Sequence, residues 1–134
     1  MLSEERVARS EAAWDALCRS QAVIEFDLDG VILWANEVFL DIMGFTLAEV
    51  RGRHHRMFCS AELAASDDYA DFWRKMRAGQ FDGGQYKRVR RDGRDVWLQA
   101  TYNPILDPQG RPVKVVKFAT DVTAMKLMQV MKSL

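Results

Sequence analysis

The chain has 134 residues, 49% of them hydrophobic and 28% charged, with a formal net charge of zero. That is enough chain for one domain with one real core. The balanced charge speaks against general nucleic-acid binding, which wants a basic surface, and no apolar run approaches the ~18 residues of a membrane span.

In chain order, residues 3–20 read as an amphipathic helix. Ser3 is its candidate N-cap, Glu4 and Glu5 suit a helix start, and Val7, Trp14, Leu17 and Cys18 fall on one stripe. The period then changes. Residues 22–27 and 31–35 read as two strands joined by the turn Asp27-Leu28-Asp29-Gly30, a hairpin. Asn36 can cap a helix carrying Phe39, Leu40 and Met43, which Gly44 ends. Thr46 and Glu49 make a capping-box pattern for the next short helix.

A basic turn follows, Gly52-Arg53-His54-His55-Arg56-Met57-Phe58-Cys59, and it holds both histidines of the chain. Such a run suits an anion, a metal or a phosphate-bearing cofactor; a solvated turn is the plain alternative. Ser60-Ala61-Glu62 begins a brief helical turn. Residues 67–78 form a clearer helix, with Tyr69, Phe72, Trp73 and Met76 on one side and Gly79 at its end. Strands are expected over 85–90, 95–106 and 112–120, separated by the turns Arg91-Asp92-Gly93-Arg94 and Asp107-Pro108-Gln109-Gly110.

Alternation in residues 96–102 puts Val96, Leu98, Ala100 and Tyr102 on one face and Trp97, Gln99 and Thr101 on the other. The tail turns helical, with Met125, Leu127, Met128, Val130, Met131 and Leu134 leaving a thin polar face. So much apolar surface on one short helix expects continuation into a further segment or pairing with a second copy. The order of elements predicts an α+β domain with an antiparallel sheet. Its expected boundaries are a cap helix over 1–20, the sheet domain over 21–123 and the start of an output helix over 124–134.

These features together resemble a PAS sensor domain. The resemblance spans residues 21–123. It is carried by Phe26-Asp27-Leu28-Asp29-Gly30 with Trp34-Ala35-Asn36 and Phe39, by Met43-Gly44-Phe45 with Glu49 and Gly52, and by Arg91-Asp92-Gly93 with Val96-Trp97. Asn103-Pro104-Ile105 and the closing Asp121-Val122-Thr123 complete it. The segments around His54–Phe58, Phe72-Trp73, Tyr102-Asn103-Pro104 and Val115–Thr123 are similar, more narrowly, to PAS domains of soluble methyl-accepting chemotaxis proteins, including aerotaxis-type receptors. The resemblance implies five antiparallel strands with short helices over one face and a cavity between. It also implies an N-terminal helix on the other face, a C-terminal signalling helix, homodimerisation through the two terminal helices, a downstream signalling domain and a cytoplasmic location. Trp97 would then meet the N-terminal helix, near Trp14.

The resemblance places Trp34, Asn36, Phe39, Met43, His54, His55, Arg56, Phe58, Phe72, Trp73, Phe81, Arg88, Leu98, Ala100 and Tyr102 around the cavity. Three occupancies stay open. FAD is favoured by Trp73, on a helix whose aromatic residues border the flavin in related receptors, and by Arg56, which matches an arginine that related domains use on the flavin phosphate, where guanidinium pairs bidentately with oxygen. His55 stands where light-oxygen-voltage domains carry a photoreactive cysteine, so adduct chemistry is not implied. Phe81 replaces a tryptophan and Arg88 an asparagine of the flavin-binding receptors. Heme b is the second occupancy, with His54 or His55 as iron ligand. The third is no cofactor, in a domain that dimerises and relays. An enzyme is not expected, because no nucleophile–base order, carboxylate pair or P-loop is present. Two cysteines in unlike contexts suit a reduced compartment. The expected mechanism is a change of hydrogen bonding near Arg88 or Tyr102, passed through Asp121-Val122-Thr123 to the last helix.

Overall fold

The computed structural model describes residues 2–134. A long helix, α1 (Leu2–Ser20), leads into β1 (Ala22–Phe26) and β2 (Ile32–Ala35). Helices α2 (Glu37–Met43) and α3 (Leu47–Val50), a 3-10 turn (His55–Phe58), α4 (Ala61–Ala64) and α5 (Asp67–Arg77) come next. Then follow β3 (Asp82–Val89), β4 (Asp95–Leu106), β5 (Pro112–Asp121) and α6 (Thr123–Ser133). The strands form one antiparallel sheet in the order β2-β1-β5-β4-β3.

The alternation of β4 organises the core. Val96, Leu98, Ala100 and Tyr102 are buried against the short helices. Directly paired residues share a face, so the register carries this choice across the sheet. Arg88 pairs with Val96, Tyr86 with Leu98, Ala119 with Ala100, and Lys117 with Tyr102. Two basic side chains, Arg88 and Lys117, therefore face the core.

Local signals in the sequence set the helix ends. Asn36 Oδ1 accepts from the Phe39 and Val23 amides, each at 3.0 Å, and its Nδ2 donates to Cys18 O and Gln21 O at 3.0 and 2.9 Å. One buried amide thus joins the end of α1, β1 and α2, and uses its full hydrogen-bonding capacity. Thr46 and Glu49 cap each other's backbone as a capping box. In the β1–β2 turn, Asp27 Oδ1 accepts from Asp29 N and Val31 N at 2.9 Å. Gly30 has φ +87°, and a Cβ there would stand 2.7 Å from His54 Nε2 and 2.9 Å from the Trp73 ring.

Several expectations need correction. α1 begins at Leu2, so Ser3 lies inside it rather than capping it. Val7 and Leu17 are exposed, and of the expected stripe only Trp14 and Cys18 are partly covered. β3 begins at Asp82, before Gln85, because Gly83 and Gly84 already pair with Thr101 and Ala100. Trp97 does not meet Trp14. Trp14 packs on Trp34 and Phe118, with ring centres 6.3 and 6.1 Å apart, on the outer face of β2 and β5. β4 lies on the far side of β5 from that contact, and Trp97 sits where β5 ends and α6 departs. There the Lys126 ammonium lies 4.5 Å from the centre of the Trp97 ring.

Candidate functional site

The inner face of the sheet, the 3-10 turn and α5 enclose a chain of polar side chains. His55 is wholly buried. Its Nδ1 is 2.7 Å from the Tyr69 hydroxyl and its Nε2 3.0 Å from the Tyr102 hydroxyl. Arg88 Nη2 donates to the same Tyr102 oxygen at 3.1 Å. One assignment satisfies the ring: Arg88 donates to Tyr102, Tyr102 donates to Nε2, and Nδ1–H donates to Tyr69. Cys59 Sγ is 3.7 Å from the same Nδ1. Burial, then the nearby Arg88 and Lys117 charges, holds the His55 pKa well below the usual imidazole range. That direction fits the neutral imidazole of this assignment. Burial raises the pKa of the Tyr69, Tyr86 and Tyr102 phenols and of the Cys59 thiol. A protonated thiol is a poor nucleophile.

His54, one residue earlier, has a different role. Its Nδ1 accepts from Arg56 N at 3.0 Å, capping the 3-10 turn, and its Nε2 bonds to Asp29 O at 2.7 Å. The turn itself divides: His55 and Phe58 point into the core, while Arg53 and Arg56 stay exposed. Arg56 shares an outer cleft of about 310 Å³ with His54, Trp73, Arg74 and Arg77.

The structure brings Phe39, Met43, His55, Phe58, Phe72, Trp73, Arg88, Leu98, Ala100 and Tyr102 to the interior or its wall. It does not bring the rest there. Trp34 is on the outer face under Trp14. Asn36 is buried, but both ends of its amide serve the backbone. Phe81 is 70% exposed just ahead of β3. Arg56 and His54 lie at the outer cleft.

Sequence reasoning missed Lys117. It is 2% exposed, with Nζ 4.8 Å from the Tyr102 ring centre and 5.9 Å from that of Phe39. Burial, then the Arg88 charge, lowers its pKa well below the ordinary lysine value. Tyr69 and Tyr86 were also missed as polar members of the interior. The signal for Lys117 lay in its register opposite Tyr102.

Beside this network, between α5 and β3, is a half-open cleft of about 290 Å³. Its walls include Leu63, Tyr69, Phe72, Tyr86 and Arg88.

The PAS fold model matches residues 19–127. The chain belongs to the PAS family. This PAS domain is 50% identical over 109 residues to the biofilm dispersion protein of Pseudomonas aeruginosa, covering 81% of this chain and 26% of that protein. It is 30% identical over 80 residues to the aerotaxis receptor of Escherichia coli, covering 60% of this chain and 16% of the receptor. The chain therefore spans about a quarter or less of either relative, and it is similar to the sensor domains of aerotaxis-type receptors. Among solved structures, the PAS domain of a Colwellia psychrerythraea protein aligns with TM-score 0.71 at 18% identity, covering 88% of this chain and 98% of that one. A light-oxygen-voltage domain studied with a flavin analogue aligns with TM-score 0.70 at 22% identity, covering 94% and 93%. Both share the five-stranded sheet with its helices, and so the PAS fold of the sequence expectation.

The groups implied by the sequence resemblance can be tested against the interior. Between α5 and the sheet, rings stand against rings: Phe72 and Tyr102 are 4.6 Å apart at their centres, and Phe26 and His55 5.2 Å. These rings fill the space between them, and the open volume on this side lies in the cleft between α5 and β3. Both nitrogens of His55 hold tyrosine hydroxyls, and both nitrogens of His54 hold backbone groups. Neither offers iron a free lone pair. Among the described residues no helix is long and apolar enough to cross a membrane.

Proposed function

We propose that this PAS domain is the sensory input module of a chemoreceptor-like signalling protein in the cytoplasm, and that it passes a change in its interior to α6. The observation that carries this is the double use of β4. Its inner face presents Tyr102 to His55 and Arg88. Its backbone at Trp97 holds the start of α6: Trp97 N donates to Thr123 Oγ1 at 2.9 Å, and Val122 N donates to Trp97 O at 2.8 Å. Any rearrangement around Tyr102 moves the strand on which the output helix is pinned. A switch of this kind needs only a few kcal/mol of differential binding between two states. The exposed side chains of Val7 and Leu17 on α1, and of Met125, Leu127, Met128, Val130 and Met131 on α6, support pairing of two such domains through their terminal helices. The test is signalling by the full-length protein with Thr123→Ala. Output is lost while folding is intact; normal output rejects the relay.

Flavin is the second reading, and redox or oxygen sensing its consequence. The cluster of Arg56, Arg74 and Arg77 beside Trp73 favours it, since such a cluster suits a phosphate. The filled interior weighs against FAD, and the engaged histidines weigh against heme b. The visible spectrum of protein purified from cells supplied with flavin and heme precursors separates the readings. We expect a colourless domain. Flavin bands restore the redox reading, with Arg56 and Trp73 as first targets, and a Soret band restores the heme reading.

A further inference from the structure

We propose that the cleft between α5 and β3 binds a small organic monocarboxylate with an apolar body, held at its inner end by the Arg88 guanidinium. This rests on the sensory reading above and adds the chemical class of the stimulus.

Among the described residues the buried polar or charged side chains are Asn36, His55, Arg88 and Lys117. Three are bases and none is an acid. A buried cation without an opposite charge is costly, and folded proteins normally pair it. Arg88 is 5% exposed and is not so paired: Nη1 donates to Lys87 O at 3.0 Å and Nη2 to the neutral Tyr102 hydroxyl. Its Nε is buried with no partner. The guanidinium lies 5.1 Å from the centre of the Tyr86 ring and borders the cleft. A carboxylate there completes the fork geometry that guanidinium prefers and supplies the missing negative charge.

The rest of the cleft sets the ligand's body. Leu63, Phe72 and the rings of Tyr69 and Tyr86 give apolar walls around about 290 Å³, the lower end of the ~300–1,000 Å³ typical of small-molecule sites. The mouth carries Asp68, Asp71 and Asp82, three acids against the one lysine, Lys75. Asp82 already accepts from Lys75 and Tyr86, and Asp71 from Arg74. A second carboxylate on the ligand would meet these acids. One acid group and a hydrocarbon or aromatic body fit both ends.

The test titrates the chain with benzoate, phenylacetate and hexanoate, each beside its neutral amide, by calorimetry and thermal shift. At least one acid is expected to bind saturably and raise the melting temperature, with its amide at least tenfold weaker. Arg88→Met is expected to weaken that acid at least tenfold while melting no lower than the parent, because an unpaired buried charge has been removed. Leu63→Trp narrows the cleft with Arg88 intact; it provides the same loss should Arg88→Met fail to fold. No binding by any of the three acids, equal binding of acid and amide, or undiminished binding by the variant that folds overturns the site. Amide exchange in α6 is followed in the same titration. An acid that binds through Arg88 without changing α6 leaves the site standing and rejects the sensory relay. An α6 that responds to Tyr102→Phe while no acid binds does the reverse.

Discussion

Replacing Lys117 with methionine should make this PAS domain more stable. The lysine is 2% exposed and faces the core from β5 opposite Tyr102. What favours it there is contact with the Tyr102 and Phe39 rings, of a kind worth about 0.5–2 kcal/mol. What opposes it is removal of an ammonium from water, which still costs several kcal/mol after relaxation. Desolvation wins, so a buried hydrophobe of similar length should gain about 1–4 kcal/mol at neutral pH. The pH dependence supplies a second signature. Burial and the Arg88 charge lower the folded pKa of Lys117 well below its ordinary value. Between that lowered value and about 10.4 the unfolded chain binds more protons than the folded one, so this group makes stability rise with pH. The raised thiol and phenol pKa values act oppositely at high pH, but they are common to both proteins and cancel in the difference. Urea unfolding of parent and Lys117→Met at pH values of about 7 and 9.5 measures it. The variant's advantage should be largest at the lower pH and shrink at the higher. A variant less stable than the parent at pH ~7, or an advantage constant with pH, would refute the reasoning.

Other outcomes follow from the same contacts. Gly30→Ala combines a left-handed φ with a Cβ 2.7 Å from His54 Nε2, and should cost more than about 1 kcal/mol in urea unfolding; an unchanged midpoint contradicts the close approach. Asn36→Ala removes a helix cap and leaves Val23 N and the Cys18 and Gln21 carbonyls without their partner, a loss of about 2–4 kcal/mol. A smaller loss, below about 1 kcal/mol, would mean that water replaces the side chain. Burial lowers the pKa of both His55 and His54. Their folded forms stay neutral where unfolded imidazoles take up protons, below about pH 6.5, so stability should fall as pH drops through that value. A urea midpoint that is flat or rises from pH ~7 to ~5.5 rejects neutral burial of the pair.

Much of the fold was legible because short-range chemistry dictates it. The alternation of Val96, Leu98, Ala100 and Tyr102, the Thr46–Glu49 box and the Asn36 cap each stand in the structure where the sequence puts them. What failed depends on which strands are neighbours. Trp34 and Trp97 are both aromatic strand residues, and only the order β2-β1-β5-β4-β3 gives the first to Trp14 and the second to Lys126. Lys117 was missed for a related reason. A lysine amid Val115, Val116 and Phe118 reads as a solvent-facing interruption, and its inward direction follows only from pairing with Tyr102. The basic turn was legible as a special segment but not as a divided one. Adjacent residues of a tight turn point apart, which sends His55 to the core and leaves Arg56 outside.

The central claim is that β4 couples the interior network to α6. Hydrogen exchange of the α6 amides tests it in four proteins: the parent, Tyr102→Phe, Thr123→Val and the double variant. Tyr102→Phe breaks the hydroxyl links to His55 and Arg88, and Thr123→Val removes the acceptor for Trp97 N. The coupling account expects Tyr102→Phe to change α6 exchange in the parent and to have little further effect once Thr123 is valine. An α6 that ignores Tyr102→Phe, or that responds equally in both backgrounds, would contradict it.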